Sequence, residues 1–401
     1  MALIPVTAAL ARVLEAVPPP DEEQIAITDA DRRVLAQDLV ARYTQPPFAA
    51  SAMDGYAVYG DDDVTVGASW QVVGESAAGR GHTGPVGPGE AVRIFTGAPL
   101  PAGCGTVVIQ EDITRDGGRI VAREETAAGA NIRPAGSDFA AGDVLLPQGT
   151  VLGAHALTLA ASMGYGALPV ARRPVVAILA TGDELVPPGT TPGPDQIVSS
   201  NPVGLAALVA RAGGIPRLLG IAPDDVEGLV THIRQAAGAD VLVTIGGASV
   251  GDHDLVGRAL RLEGLDLAFW KVAIRPGKPL MFGRLGPMRV LGLPGNPVSA
   301  LITARTFLVP LIEALLGLPR RARAPDIAVL TRPLDANGPR LHLMRARLGK
   351  RGDGLITVTP MDSQDSSLLA TLVEADCLIV RQPDSPPATA GDTVEVERLT
   401  D

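Results

Sequence analysis

Between about residues 174 and 320 the chain keeps one rhythm: short aliphatic runs alternate with segments that carry the marks of helix starts. The runs at 175–180, 218–222, 241–245 and 289–293 have the length of strands and end in Gly, Pro or Thr-Gly. Between them, Asn201-Pro202 and Asn296-Pro297 read as an N-cap followed by Pro at the first helical position, and another helix opens near Asp224-Asp225. Strands separated by helices are not hairpins; they need crossover connections, and these put neighbouring strands parallel. The expectation for this region is therefore a parallel, doubly wound α/β sheet.

The flanks have a different texture. Residues 1 to about 170 begin with helical patterns at 7–17 and 29–39. They then break into short strands at 70–74, 91–95, 106–110 and 119–122, with Pro-Gly turns at 84–89 and 99–103. Beyond a basic, Pro-containing stretch at 320–325, short strands return at 327–330, 355–359, 377–380 and 393–396, which predicts a small separate β domain. A chain of 401 residues exceeds one ordinary core, and with aromatics at only 3% the cores must be built from Val, Leu, Ile and Ala.

The formal charge, 34 − 44 = −10, argues against a nucleic-acid or anionic-membrane surface. An anionic small molecule can bind only where basic residues locally outweigh that field. Cys104 and Cys377 are far apart and have no CxxC partner, which speaks against a disulfide framework or a cysteine-rich zinc site and for a reducing compartment. No apolar run is expected to reach spanning length, and the first residues lack the basic and cleavage-site features of a signal peptide, so a soluble, cytoplasmic protein is expected.

In open α/β sheets ligands bind outside the carboxyl ends of the strands. Four loops at such ends stand out: Thr181-Gly182-Asp183-Glu184-Leu185, Ala222-Pro223-Asp224-Asp225, the stretch from Gly246 to Asp254, and Pro294-Gly295-Asn296-Pro297. They are expected to converge on one crevice. Gly246, Gly247 and Gly251 permit close backbone approach to a phosphate. Glu184, Asp224 and Asp254 would repel that phosphate unless a cation such as Mg²⁺ lay between, held by one or two carboxylates and phosphate oxygens. Lys271, Arg275 and Lys278 follow within a strand and turn, and strand geometry puts Lys271 and Arg275 on one face.

Each signal has a plainer reading. The glycine loop is neither a dinucleotide fingerprint nor a P-loop. Asp224 is as readily a helix N-cap, and Lys271 and Arg275 as readily blunt an edge strand. The five histidines show no ligand spacing; His253 alone lies beside the site. The coincidence of four loops, not any one of them, points to transfer chemistry at a phosphate ester.

Three N-terminal motifs, Ser51-Ala52-Met53-Asp54-Gly55-Tyr56-Ala57, Thr96-Gly97-Ala98-Pro99-Leu100-Pro101 and Arg133-Pro134-Ala135-Gly136-Ser137-Asp138, have no role that spacing can assign. Followed in order by the loops at 181–185 and 246–254, Arg275-Pro276-Gly277-Lys278-Pro279 and Leu293-Pro294-Gly295-Asn296-Pro297-Val298-Ser299, they make the whole chain resemble the MoeA family of molybdopterin molybdenumtransferases, relatives of the E domain of gephyrin. The resemblance implies an α/β multi-domain protein. Its parts are an N-terminal linker segment (1–47), a β-rich lid (48–137), a return of the elongated linker domain (138–172), a MogA-like pterin-binding α/β domain (173–325) and a C-terminal β-barrel-like domain (326–401).

The activity implied is Mg²⁺-dependent insertion of molybdate, or equally tungstate, into adenylyl-molybdopterin with release of AMP, in a homodimer whose active site is completed by the partner's lid. Asp54, Thr96, Asp138, Glu184, Asp224 and Asp254 would be catalytic, the last three around the metal. Gly182, Asp183, Gly246, Gly247, Ser249, Gly251, Lys278, Pro294, Gly295, Asn296 and Pro297 would hold the pterin and nucleotide. Ser249, Lys271, Arg275, Arg345 and Ser366, with Ser367 as alternative to the last, would hold molybdate. Arg275 stands where the family often has Lys, and Ser137 where it often has Glu. The competing readings are molybdopterin adenylyltransferase, which resembles only 174–320, and a gephyrin-like scaffold. Partners implied are the adenylyltransferase and downstream molybdoenzymes, with no nucleic acid or membrane.

Overall fold

The structure, a computed structural model, describes residues 3–246, 255–319 and 325–399. The chain forms two compact units, one of Met1–Glu23 with Ala171–Asp401 and one of Gln24–Val170.

The first unit is built on a six-stranded sheet in the order Ile215–Ala222, Val175–Thr181, Val241–Ile245, Met288–Leu293, Met281–Leu285, Asp266–Trp270. The first four strands are parallel, as expected. The last two are antiparallel, so the sheet is mixed. The reason is local: Leu285 pairs with Met288 across Gly286-Pro287, and so short a turn can join only antiparallel neighbours.

Val241–Ile245 is buried along its whole length, which its unbroken aliphatic character requires of a strand covered on both faces. The helices Asn201–Arg211 and Pro297–Thr303 contact each other on one side of the sheet, and Val226–Arg234 contacts Leu255–Leu262 on the other. Leu229 and Ile233, one turn apart, drive Val226–Arg234 into a core shared with Ala177, Leu242 and Val290.

The apolar stretch Pro297–Leu315 corrects one expectation. It is a 19-residue helix with a mean hydropathy of 1.6, long and apolar enough to cross a membrane by length and composition, and 56% of it is buried inside the protein. Phe307, Leu308, Leu311 and Ile312 are fully buried, as in a core helix. A π-helical turn at Ala304–Leu308 precedes Pro310, whose missing N–H and ring disfavour a regular α-helical ladder there.

The C-terminal strands close on themselves. Leu341–Lys350 pairs with Ile356–Pro360 on one side and Cys377–Arg381 on the other, and Asp326–Leu330 and Thr393–Arg398 complete a five-stranded barrel. Leu341–Lys350 is the longest strand here and was not expected, because His342, Arg345, Arg347 and Lys350 break its aliphatic pattern. Ala346, Val358, Cys377, Ile379 and Val396 fill the barrel.

In the second unit a six-stranded sheet runs Cys104–Ile109, Gly55–Tyr59, Glu90–Ile94, Ser69–Ser76, Arg119–Ala122, Ile113–Asp116. The helix expected over 29–39 is absent. A short 3₁₀ turn at Ile27–Asp29 is followed by Arg32 at φ 60°, and the Leu35 N–H donates to Thr150 O across 2.9 Å. The apolar spacing of Val34, Leu35 and Leu39 instead serves β-bridges and a core with Phe139, Leu152 and Met163, a tertiary override of local pattern. Cys104 and Cys377 are both buried and free, and burial pushes their thiols up to about 11 and about 12.

Candidate active site

Parallel strands deliver their carboxyl ends to one edge of the sheet, and the chain crosses from Ile215–Ala222 past Val175–Thr181 to reach Val241–Ile245. The order therefore reverses between the latter two, and a cleft of about 1110 Å³ opens there. Gly182 and Glu184, Asp224, Gly246, and Pro294 through Asn296 bring all four strand-end loops to it. Gly246 has φ 91°, and a Cβ there would meet Thr181 O at 2.9 Å, so only glycine lets the two loops approach. Gly247, Ser249, Gly251, His253 and Asp254 lie outside the described residues.

One wall is acidic. Asp224 and Asp183 tie the first two loops together: the Asp224 N–H donates to Asp183 Oδ1 at 3.0 Å, and the Asp183 N–H reaches Asp224 Oδ2 at 3.4 Å. Asp183 faces a neighbouring apolar groove of about 540 Å³ and does not line the main cleft. The helix cap is Asp225, which accepts from the Gly228 N–H at 2.7 Å. The Asp224 side chain is thereby free of capping and faces the cleft. Among the described residues no group of three His, Cys, Asp or Glu could hold a metal.

The opposite wall is basic. Lys271, Arg275 and Lys278 line it. Lys271 has φ 75°, so the strand argument that put it on one face with Arg275 fails; a loop delivers it. That loop is held by the Lys271 N–H to Leu280 O at 2.9 Å and the Ala273 N–H to Ile4 O at 2.8 Å. Arg275 sits on a two-residue strand, Ile274–Arg275, that pairs in parallel with Leu341 and His342 of the barrel.

The barrel thus supplies a third side, lined by Arg340, Gln364, Asp365 and Ser366, of which sequence reading found only Ser366. Asn296, at the N-cap position of the helix that starts at Pro297, makes no capping bond; its amide donates to Ser366 Oγ at 2.8 Å. Asn201 is likewise not a cap. It lies one residue inside its helix, and its amide donates to Gly295 O at 2.7 Å.

Ser367 Oγ donates to Asp365 Oδ1 and does not line the cleft. Neither does Pro297. Arg345 is also withdrawn: 1% exposed, it donates to Leu368 O at 3.0 Å and Asp365 O at 2.8 Å from behind the loop that carries Ser366.

In the second unit, Asp54 Oδ1 accepts from both the backbone N–H and the hydroxyl of Thr96, each at 2.8 Å. The Thr96 N–H first, then its hydroxyl, hold the Asp54 carboxyl below the usual carboxylate range. Gly55 must follow it because a Cβ would meet Val108 O at 2.0 Å. Asp138 is exposed on the same unit, its N–H bonded to Gln45 O at 3.1 Å.

A mixed-sign cleft at the switch point of an α/β sheet, with a closed barrel for one side, defines a protein built to hold anionic ligands at a strand-end site. Residues 4–164 match the family model described as the MoeA N-terminal region (domain I and II), 177–314 the probable molybdopterin binding domain, and 328–399 the MoeA C-terminal region (domain IV). The molybdopterin molybdenumtransferase of Haemophilus influenzae is 35% identical over 393 residues, covering 97% of each chain. That of Bacillus subtilis is 32% identical over 98% of this chain and 93% of its own. A crystal structure of the molybdopterin biosynthesis MoeA protein from Pyrococcus horikoshii superposes with a TM-score of 0.86, at 29% identity and full coverage of both chains. The chain belongs to the MoeA family of molybdopterin molybdenumtransferases.

Proposed function

We propose that this protein inserts molybdate into adenylyl-molybdopterin and releases AMP. The observation that carries the reading is the cleft itself, with Glu184 and Asp224 on one wall and Lys271, Arg275 and Lys278 on another. Two anionic reactants must be brought together, and cations held in place before they arrive lower that cost without reorganising. On this reading the phosphate linkage lies over Gly182 and the 246–251 loop. The pterin lies along Lys278 and Pro294–Asn296, with Asp183 and Pro297 behind these loops, and molybdate lies at Lys271, Arg275, Ser249 and Ser366. Arg345 acts by holding the Ser366 loop.

The carboxylates of Glu184 and Asp224 suit Mg²⁺, which takes one or two protein carboxylates together with phosphate oxygens; Asp254 would be a third. Bound there, the ion would neutralise charge on the leaving phosphate. We further propose that the chain works in the cytoplasm as a homodimer, with the lid (48–137) of one copy and the returning linker (138–172) bringing Asp54, Thr96 and Asp138 to the other copy's α/β domain (173–325). The test is turnover: supply adenylyl-molybdopterin, Mg²⁺ and molybdate, and measure AMP. Wild type releases AMP only with molybdate present, and Glu184→Ala and Asp54→Ala fold but release none. Molybdate-independent release, or full activity in either variant, refutes the corresponding part of the reading.

A further inference from the structure

Asp54 is held at both of its ends. It stands one residue before the strand Gly55–Tyr59, and Thr96, two residues beyond the strand Glu90–Ile94, fixes its carboxylate. Its backbone carbonyl accepts from the Gln110 N–H at 3.0 Å, where a 3₁₀ turn opens after the strand Cys104–Ile109. Three neighbouring strands of one sheet therefore meet at this aspartate.

One side chain touches all three. The register sets Arg93 opposite Tyr56 and Ile94 opposite Gly55. From there Arg93 Nη1 donates to Gly55 O at 3.0 Å, and Nη2 donates to Gln110 Oε1 at 2.6 Å. Its guanidinium carbon lies 5.0 Å from the Tyr56 ring centroid and 4.8 Å from that of Phe95. Tyr56 follows Gly55 and Phe95 precedes Thr96, so the two rings belong to the segments that carry Asp54 and its partner. Rings against a planar cation fix its plane, and the fork then sets the separation of two acceptors, which an ammonium does not. Gln110 Nε2 continues the chain of bonds to Glu111 Oε1 at 3.1 Å.

We infer that Arg93 is a positioning residue for Asp54, locking the Asp54-Gly55 backbone, the Thr96 segment and Gln110 into one arrangement before any reactant arrives. This rests on the function proposed above, which gives Asp54 a part in the reaction. A half-buried arginine with both terminal nitrogens on acceptors beside one carboxylate is placed for geometry, not for solvation. A reacting group displaced by about 1 Å loses about 100-fold in rate, so such a lock has a measurable effect. The Thr96 bonds chiefly hold the Asp54 carboxyl low, and the Arg93 charge adds to them.

The test compares the full chain with Arg93→Met, Arg93→Lys and Gln110→Ala, using melting curves as a fold control. Steady-state AMP release is one readout. The other is a carbon-13 titration of aspartate-labelled protein, with the Asp54 carboxyl signal assigned by its loss in Asp54→Asn. Arg93→Met is expected to lower kcat about 10- to 100-fold with KM within about twofold of wild type, and to move the Asp54 titration to higher pH as the Thr96 bonds loosen. Arg93→Lys keeps the charge without the fork and should recover only part of each change. Gln110→Ala alters no charge and should shift both readouts in the same direction by less; it decides the matter if Arg93→Met does not fold. Full recovery in Arg93→Lys would show that charge alone acts and would overturn the positioning role, as would unmoved readouts in well-folded Arg93→Met or Gln110→Ala. A moved titration with undiminished AMP release would leave the lock standing and remove Asp54 from the proposed reaction.

Discussion

The side-chain amide of Asn296 donates to the hydroxyl oxygen of Ser366 across 2.8 Å, joining the helix N-terminus at Pro297 to the barrel. The bond occupies an acceptor site on Ser366 and leaves its own O–H to donate into the cleft that both residues line. The neighbouring Ser367 has already spent its hydroxyl on Asp365. Of the two serines, 366 is the one with a proton to offer an anion.

Because Asn296 makes no capping bond, Asn296→Ala should act through Ser366 and not through helix stability. Asn296→Ala and Ser366→Ala are each expected to weaken tungstate binding, while the double variant loses about 1 kcal/mol less than their sum. Strictly additive losses in this cycle would show that the amide does not orient the hydroxyl.

Arg345 makes a different prediction from that of a ligand contact. Removing it strips two carbonyls, of Asp365 and Leu368, of a buried donor. Arg345→Ala should cost about 2–4 kcal/mol of stability, visible as a lowered Tm, together with weaker tungstate binding. Weaker binding with an unchanged Tm would return Arg345 to the ligand.

Two adjacent aspartates should separate cleanly. Asp225→Ala loses the cap to Gly228 and should lower stability by about 1 kcal/mol while leaving turnover near wild type. Asp224→Asn should keep its fold and lose AMP release. Equal activity losses in the two would sink the assignment.

His342 should make the protein acid-sensitive. Its imidazole protonates near 4 when folded and near 6.5 when unfolded. Its folded value is depressed, so above about pH 6.5 it costs nothing, whereas between 6.5 and 4 only the unfolded chain takes up the proton and stability falls. Over that window the loss amounts to about 2–3 kcal/mol. Denaturant titrations of wild type and His342→Gln at pH 7.5 and 5 should differ in their pH dependence by that order; parallel curves would exclude the effect.

Much of the fold and part of the site could be read from residues alone. Strand ends marked by Gly and Pro placed Glu184, Asp224 and Asn296 at a common edge, because a parallel sheet leaves a loop no other place to go. What escaped reading depended on contacts distant in sequence. Lys271 reaches the cleft through a left-handed turn pinned by Ile4. Asp183, Pro297 and Arg345 belong to cleft-forming segments but do not line the cleft: Asp183 turns to the neighbouring groove and Arg345 is buried behind its loop, which spacing does not reveal. Arg340 stayed hidden because the strand it precedes carries His342, Arg345, Arg347 and Lys350, which an aliphatic count does not read as a strand.

The two-rung ladder between Ile274–Arg275 and Leu341–His342, with the Val298 N–H to Ser366 O at 3.2 Å on the helix side, has a mechanical meaning. A jaw hinged at one point can gape; a trough bolted at both rims keeps its bore. The spacing between the α/β side and the barrel side is therefore set by backbone hydrogen bonds, ahead of any ligand.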